Sequence, residues 1–485
     1  MESGLEEWVA AEARYAAGRM LRAISATDLV MERVGFGQRV VPVAGSVLAS
    51  PVIAHYDPEP DYFFHWFRDS AIVIDALRVA IAAGYAERAA MERCREFVRF
   101  SLALQSLDGR ELLRHGGLRR RVQPDFLPYL RPDDELGALS GAAVAADVRV
   151  NADGTLDVIR WARPQVDGPA LRALTLLRWW RQFPDLYAEA AVGAALGKLI
   201  GDDLELTRAE LQRPCSDIWE EAHGHHYFTE LLQCEALTRG ADWLEHTGDT
   251  GRSLAARHRA AQAHADLDRF WDAGGGFYRA RLTRETRDPG RDLDMSVVLG
   301  VLHAGRPGGA HSVLDPKAQA TLATLEVLFE GLYDINRRRP PEAGPAMGRY
   351  ANDAYYGGGA WYIATLGAAE FYFRLAQDLR TGGELVRRTE NAGFRERLRA
   401  GDSLDPQQLA RLAIERGDAF MRTVRSFTPP GGELSEQFDR TTGVQTSARH
   451  LSWSYAAFIT AAASRTRACH PTPAAGRGTM PAGME

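Results

Sequence analysis

Little in this sequence speaks for a disulfide scaffold, a metal ribbon, a membrane span or a nucleic-acid surface. Only four of the 485 residues are cysteine (Cys94, Cys215, Cys234 and Cys469), and no two of them stand as a CxxC pair. That is too few for a disulfide framework and the wrong spacing for a zinc site. His223, His225 and His226 form a His-rich turn with no further ligand at metal-binding spacing, so no metal is expected. No uncharged apolar run reaches the ~18 residues a spanning helix needs. The best, Ala71 to Ala83, contains Asp75 and Arg78. Net charge is −6, and the short runs Arg119–Arg121 and Arg337–Arg339 read as solvated loops, so neither nucleic acid nor membrane is an expected partner. The first residues, Met1-Glu2-Ser3-Gly4-Leu5-Glu6-Glu7, lack the positive and apolar regions of a secretory signal. A cytoplasmic location is the corresponding expectation. Gly357-Gly358-Gly359 lacks a preceding strand and a following Lys, which argues against a phosphate loop.

What the sequence does have is helical periodicity. Ala71 to Ala83 carries Ile72, Ala76, Val79 and Ala80 on one stripe with Ile74, Leu77 and Ile81 beside it, a helix buried nearly all round. Comparable segments recur at 7–24, 87–104, 169–182, 185–201, 228–243, 254–271, 318–332, 359–379, 405–424 and 450–463. Strand signals are short. Residues 148–150 and 156–159 flank Asn151-Ala152-Asp153-Gly154 as an expected hairpin, and 274–282 suggests another. Residues 292–303 are apolar without clear period and stay unassigned. The expected fold is all-α, one layered bundle or toroid of about a dozen helices over residues 1–464. Pro471, Pro473, Gly476, Gly478, Pro481 and Gly483 mark residues 465–485 as a disordered tail.

The informative segments are the loops between helices. Five combine Trp or Tyr with Arg, Asp or Glu: 61–69, 161–169, 217–221, 348–361 and 434–453. Aromatic faces beside carboxylates and guanidinium groups suit a sugar, which packs its C–H face on a ring and hydrogen-bonds its hydroxyls to charged groups. Any one such segment is an ordinary interface or helix cap; five in equivalent positions point to a site. Glycosidic cleavage needs two carboxyl groups in different environments, one protonated and one ionised. Glu220, beside Trp219 and between Asp217 and Glu221, is the acid candidate, because like charges and partial desolvation raise a carboxyl pKa. If that segment is helical, Asp217, Glu220 and Glu221 share a face; the alternative is a solvated acidic helix start. Glu436, after the turn Pro429-Pro430-Gly431-Gly432, is the base candidate, with Ser435 and Gln437 placed to orient a water. Two carboxyls suffice for acid–base hydrolysis, so no cofactor is implied.

These segments, in this order, resemble the glucoamylases of glycoside hydrolase family 15 from about Gly45 to Ser464. The resemblance rests on Pro60-Asp61-Tyr62-Phe63 with Trp66, Arg68 and Asp69; on Arg163-Pro164-Gln165 with Asp167-Gly168-Pro169; on Asp217 with Trp219-Glu220-Glu221; on Gly348-Arg349-Tyr350 with Asp353 and Tyr355-Tyr356; and on Ser435-Glu436-Gln437 with Ser447-Ala448-Arg449 and Trp453-Ser454-Tyr455-Ala456. It implies an (α/α)6 barrel and an exo-acting, inverting hydrolase that releases β-D-glucose from non-reducing ends of α-linked gluco-oligosaccharides. It implies Glu220 as general acid and Glu436 as general base, with Tyr62 and Gln437 at the attacking water. Arg68, Asp69 and Arg349 are expected at the terminal sugar, Trp161 and Trp219 as aromatic walls, Glu221 and Asp353 at the next sugar, and Trp66, Asp217, Tyr350 and Trp361 among the other substrate-binding residues. The chain departs from the fungal pattern at Gly357-Gly358-Gly359-Ala360, at His450 and in a longer 109–159 loop. Preference among α-1,4, α-1,6 and α,α-1,1 linkages therefore stays open, as does oligomeric state. With no starch-binding module visible, soluble oligosaccharides are the expected partners. Both Glu220 and Glu436 stand against a non-catalytic carbohydrate sensor, and Asp133-Asp134 and Asp202-Asp203 lack the DDxxD form an isoprenoid-type toroid would need.

Overall fold

A computed structural model of the chain describes residues 3–56, 58–114, 117–283, 288–401 and 403–470. Twelve helices of nine residues or more are among the described residues: α1 (Ser3–Ala23), α2 (Phe67–Ala82), α3 (Met91–Ala103), α4 (Asp167–Gln182), α5 (Ala190–Ala209), α6 (Tyr227–His246), α7 (Thr250–Asp266), α8 (Ser296–Ala304), α9 (Pro316–Leu332), α10 (Tyr362–Arg380), α11 (Pro406–Phe427) and α12 (Ser452–Cys469). Inner and outer helices alternate. α2 packs on α4, α4 on α6, α6 on α8, α8 on α10, α10 on α12, and α12 returns to α2. The odd-numbered helices lie outside this closed ring. This is the expected (α/α)6 barrel.

Sequence decides which helix goes where. Every residue of α10 from Tyr362 to Phe373 is buried, as befits a helix with apolar or small residues on all sides. α11 is two-faced instead. It buries Leu409, Ala410, Ala413, Phe420, Met421 and Val424 at helical spacing and leaves its other side in solvent. Its start is fixed by a capping box: Asp405 Oδ1 accepts from Gln408 N at 2.8 Å, and Gln408 Oε1 accepts from Asp405 N at 2.8 Å, with Pro406 at the first helical position.

The ring helices all run the same way. Their N-termini gather at one end, directly after the polar loops, and their C-termini at the other. Parallel macrodipoles leave partial negative charge at the C-terminal end, and arginines meet it. Arg374 Nη1 donates to Leu302 O (2.5 Å), Arg239 Nη2 to Gly305 O (2.6 Å) and Arg178 Nη2 to Ala304 O (3.3 Å), satisfying the last carbonyls of α8.

Four expectations change. Residues 292–303 supply the eighth helix, α8, which ends at Gly305 in the left-handed region (φ 64°). The 148–159 hairpin is reduced to a bridge between Val150 and Leu156. The strand there, Arg149–Asn151, pairs instead with Phe64–Trp66, in register Trp66 with Arg149, which lays the Arg149 guanidinium over the Phe64 and Trp66 rings, 4.0 and 4.5 Å from their centroids. In 271–282, Trp271–Asp272 pairs with Phe277–Tyr278, while Arg281–Leu282 joins His225–His226. The tail also starts later than expected: α12 continues to Cys469, and Arg465 is held by Asp418 at 2.6 Å across to α11. Residues 471–485 lie outside the described residues.

Candidate active site

Each of the five polar loops leads into a ring helix, so all five converge on the N-terminal mouth of the barrel. They enclose a cavity of about 220 Å³, small beside the ~300–1,000 Å³ of drug-sized sites. Of the residues singled out in the sequence, Tyr62, Trp66, Arg68, Asp69, Trp161, Trp219, Glu220, Glu221, Arg349, Trp361 and Glu436 line it. Both candidate carboxylates therefore face one space, and they share no hydrogen bond. The Tyr62 and Trp66 rings, 5.3 Å apart between centroids, stand between them: Tyr62 Oη donates to Glu436 Oε1 (3.3 Å), and Trp66 Nε1 donates to Glu220 Oε1 (2.8 Å).

Glu220 is not on a helix. Residues 217–222 form a tight turn in which Glu220 N bonds Asp217 O (3.1 Å) and Glu220 takes φ 64°, a left-handed conformation unusual for a side chain of this size. The turn throws the three carboxylates apart, so the like-charge argument for Glu220 does not hold. Asp217 Oδ1 accepts from Glu221 N (2.8 Å) and Ala222 N (3.3 Å), closing its own turn, and does not line the cavity. Glu221 turns to Arg349 Nη2 (3.0 Å) and the Tyr350 hydroxyl. Glu220 faces donors instead: Trp66 Nε1, Trp161 Nε1, Gln165 Nε2 (3.0 Å) and Arg68 Nη2 (3.3 Å).

Arg68 is locked by Gln165 Oε1 (2.8 Å) and Asp167 Oδ2 (3.0 Å), while its Nε has no hydrogen-bond partner among the described residues. That buried Nε lies 3.9 Å from Asp69 Oδ2. Burial pushes the Asp69 carboxyl up to about 7 against the pull of Arg68. Arg349 sits among the rings of Trp219, Tyr350, Tyr355 and Trp361, 4.9 to 5.4 Å from their centroids. Asp353 Oδ2 accepts from its Nε at 2.7 Å. Tyr350 and Asp353 are buried behind Arg349 and Glu221, so the structure makes them supports of lining residues rather than part of the wall.

Glu436 is 4% exposed. Burial pushes its carboxyl up to about 7, with Asp69 adding to the rise, while donation from Ser447 Oγ to Oε2, the field of Arg349 and the Tyr62 bond hold it down. Gln437 does not line the cavity beside Glu436. Residues 437–438 form a strand against Ala360–Trp361, successive side chains alternate faces, and Gln437 turns inward to accept from Gly359 N (3.2 Å). Ser435 likewise donates to Gln437 O and stays outside the cavity. Their place is taken by Tyr355 and Ser447. Tyr355 Oη lies 2.8 Å from Tyr62 Oη. Ser447→Ala removes a donor that favours the ionised carboxyl. The acid limb of the pH–rate profile should then move up by roughly one to two units, since a bond to a charged group is worth ~1.5–3 kcal/mol. The dependence of initial rates on pH between pH 4 and 9 checks this.

Tyr355, Trp453, Gln165 and Ser447 were not singled out as site residues, although all lie in the quoted segments. The polar loops flagged the region, but which side chains face inward depends on loop conformation. Asp294 lies outside every quoted segment. It accepts from Trp219 Nε1 through both oxygens (3.0 and 2.9 Å) and from Ser296 N (2.6 Å), fixing one wall.

The sequence profile of the family described as Glycosyl hydrolases family 15 matches residues 26–111 and 147–463. Glucoamylase P of Amorphotheca resinae is 30% identical over 93% of this chain and 70% of its own. An intracellular sporulation-specific glucoamylase of Saccharomyces cerevisiae is 26% identical over 94% of this chain and 83% of its own. Several other curated glucoamylases are longer, the chain spanning 65% to 68% of their length. Among solved structures, the family 15 glucoamylase of Hypocrea jecorina superposes with a TM-score of 0.78 at 26% identity, covering 95% of this chain and 72% of that one.

Proposed function

The chain belongs to glycosyl hydrolase family 15, and on that premise we propose that its mouth cavity hydrolyses α-linked gluco-oligosaccharides from the non-reducing end, releasing β-D-glucose with inversion. The observation that carries this reading is a pair of carboxylates, Glu220 and Glu436, on one enclosed cavity with two aromatic rings between them. An inverting hydrolase needs its carboxyls roughly 6.5–9.5 Å apart, with a water between one of them and the sugar. Glu220 gives a proton to the glycosidic oxygen as the C1–O bond breaks. Glu436 takes a proton from a water that forms the new C1–O bond on the opposite face. Tyr62, held by Tyr355, and Ser447 fix the Glu436 carboxylate.

The size of the cavity supports an exo mode, since it suits a chain end rather than a chain middle. Arg68, Asp69 and Arg349 supply charged partners for hydroxyls, and Trp161, Trp219, Trp361 and Trp453 supply faces. Four unpaired cysteine thiols among the described residues and the intracellular yeast relative support a reducing compartment. Proton NMR of a fresh maltose digest should show the β-anomer of glucose first, with α-glucose rising only by mutarotation. Early α-glucose would exclude inversion. Comparing kcat/KM for maltose, isomaltose, trehalose and maltoheptaose identifies the linkage.

A further inference from the structure

Arg149 presents an anomaly outside the cavity. Its side chain is fully buried, yet Nη1 and Nη2 have no hydrogen-bond partner among the described residues. Only Nε is conventionally paired, to Asp157 Oδ2 at 2.8 Å. A buried donor without a partner is costly and calls for an explanation. The guanidinium lies over three aromatic rings: its Cζ is 3.8 Å from the centroid of Trp161, 4.0 Å from Phe64 and 4.5 Å from Trp66. Its location is set by strand register, because Arg149 is the direct cross-strand partner of Trp66. Two of these rings, Trp66 and Trp161, are the ones whose indole N–H groups hold the two oxygens of Glu220.

We infer that Arg149 is a positioning residue for the general acid, acting through Trp66 and Trp161. A guanidinium plane against a ring face is attractive and fixes ring orientation. It also withdraws electron density from the indoles, strengthening their N–H groups as donors. The groups around Glu220 are Arg68 and Asp69 from α2, Gln165 and Asp167 leading into α4, and the two indoles. Those around Arg149 are Asp157 and Arg163, with Arg33 on the far face of Phe64 at 3.7 Å. Asp157 keeps Arg163 Nη2 at 2.7 Å and Ile159 N at 2.9 Å when Arg149 is replaced, so the substitution leaves no bare buried carboxylate.

The inference rests on Glu220 being the acid, and the test separates the two claims. α-Glucosyl fluoride loses fluoride without protonation, so its hydrolysis needs the base and not the acid. Arg149→Met should lower kcat on maltose by about 10- to 100-fold, the scale of a small misplacement. It should shift the alkaline limb of kcat/KM to higher pH, and keep α-glucosyl fluoride turnover within about threefold of wild type. Arg149→Lys keeps the charge and loses the plane. Its alkaline limb should stay in place while its maltose-to-fluoride rate ratio falls severalfold; if the Met variant does not fold, this ratio decides. Equal slowing on both substrates, or an unchanged ratio in the Lys variant, would make Arg149 merely structural and overturn the inference. Loss of fluoride turnover in Glu220→Gln would instead sink the assignment of the acid.

Discussion

Glu220→Gln should lower maltose turnover by at least ~10²-fold, and up to ~10⁴-fold, the range a positioned general acid contributes. An amide cannot supply the proton that the departing glycosidic oxygen needs. The loss falls on kcat rather than KM, because the proton moves only in the transition state. The surroundings add a second effect. Both Glu220 oxygens accept from N–H groups of Trp66, Trp161, Gln165 and Arg68, and the new amide NH2 turns a donor towards donors. Each neutral hydrogen bond forgone in that partly exposed site is worth ~0.5–1.5 kcal/mol, so this variant should also melt slightly lower. α-Glucosyl fluoride hydrolysis should survive within about tenfold. Single-turnover rates on maltose and on the fluoride check the pair of expectations, and near-normal maltose turnover would remove Glu220 from the acid role.

The sequence disclosed the barrel because the barrel is made of helices, and helical burial is written at short range. The ring helix α2 is apolar nearly all round, and the outer helix α11 is two-faced. Each pattern follows from about 20 consecutive residues. The exception is α8, whose nine residues are apolar on every side and give no period to read. The site was legible in its parts and not in their arrangement. Trp66, Arg68, Glu220, Arg349 and Glu436 stand in segments whose composition marks them. Which way a loop residue faces is set by partners far along the chain. Gln437 turns away from the cavity because residues 437–438 pair with 360–361, and Glu220 parts from Asp217 and Glu221 because its backbone is left-handed. Neither follows from spacing. Asp294 carries no local mark at all, since its meaning comes from an indole 75 residues away.

The same placement has a cost at Glu436. Its folded-state pKa, about 7, lies above the 4.5 of an exposed glutamate. A carboxyl raised by folding favours the native state fully below 4.5, and that advantage is lost as pH rises through 7. The roughly 2.5-unit rise corresponds to about 3 kcal/mol at neutral pH and above. Glu436→Gln removes the charge while retaining an oxygen that can accept from Ser447 or Tyr62. Its melting temperature relative to wild type should therefore climb between pH 4.5 and 7 and level off above. The gain should be a few degrees, because a chain this long has a large unfolding entropy. Asp69 and Asp294, which burial also pushes up to about 7, titrate in both proteins and largely cancel in the difference. Activity moves the other way: without a group to take the proton from water, turnover of both maltose and α-glucosyl fluoride should fall by at least ~10²-fold. A variant more stable above neutral pH and inactive on both substrates identifies a buried charge kept for catalysis. Unchanged stability across that pH range would mean that Glu436 is solvated, and so not enclosed with a single attacking water.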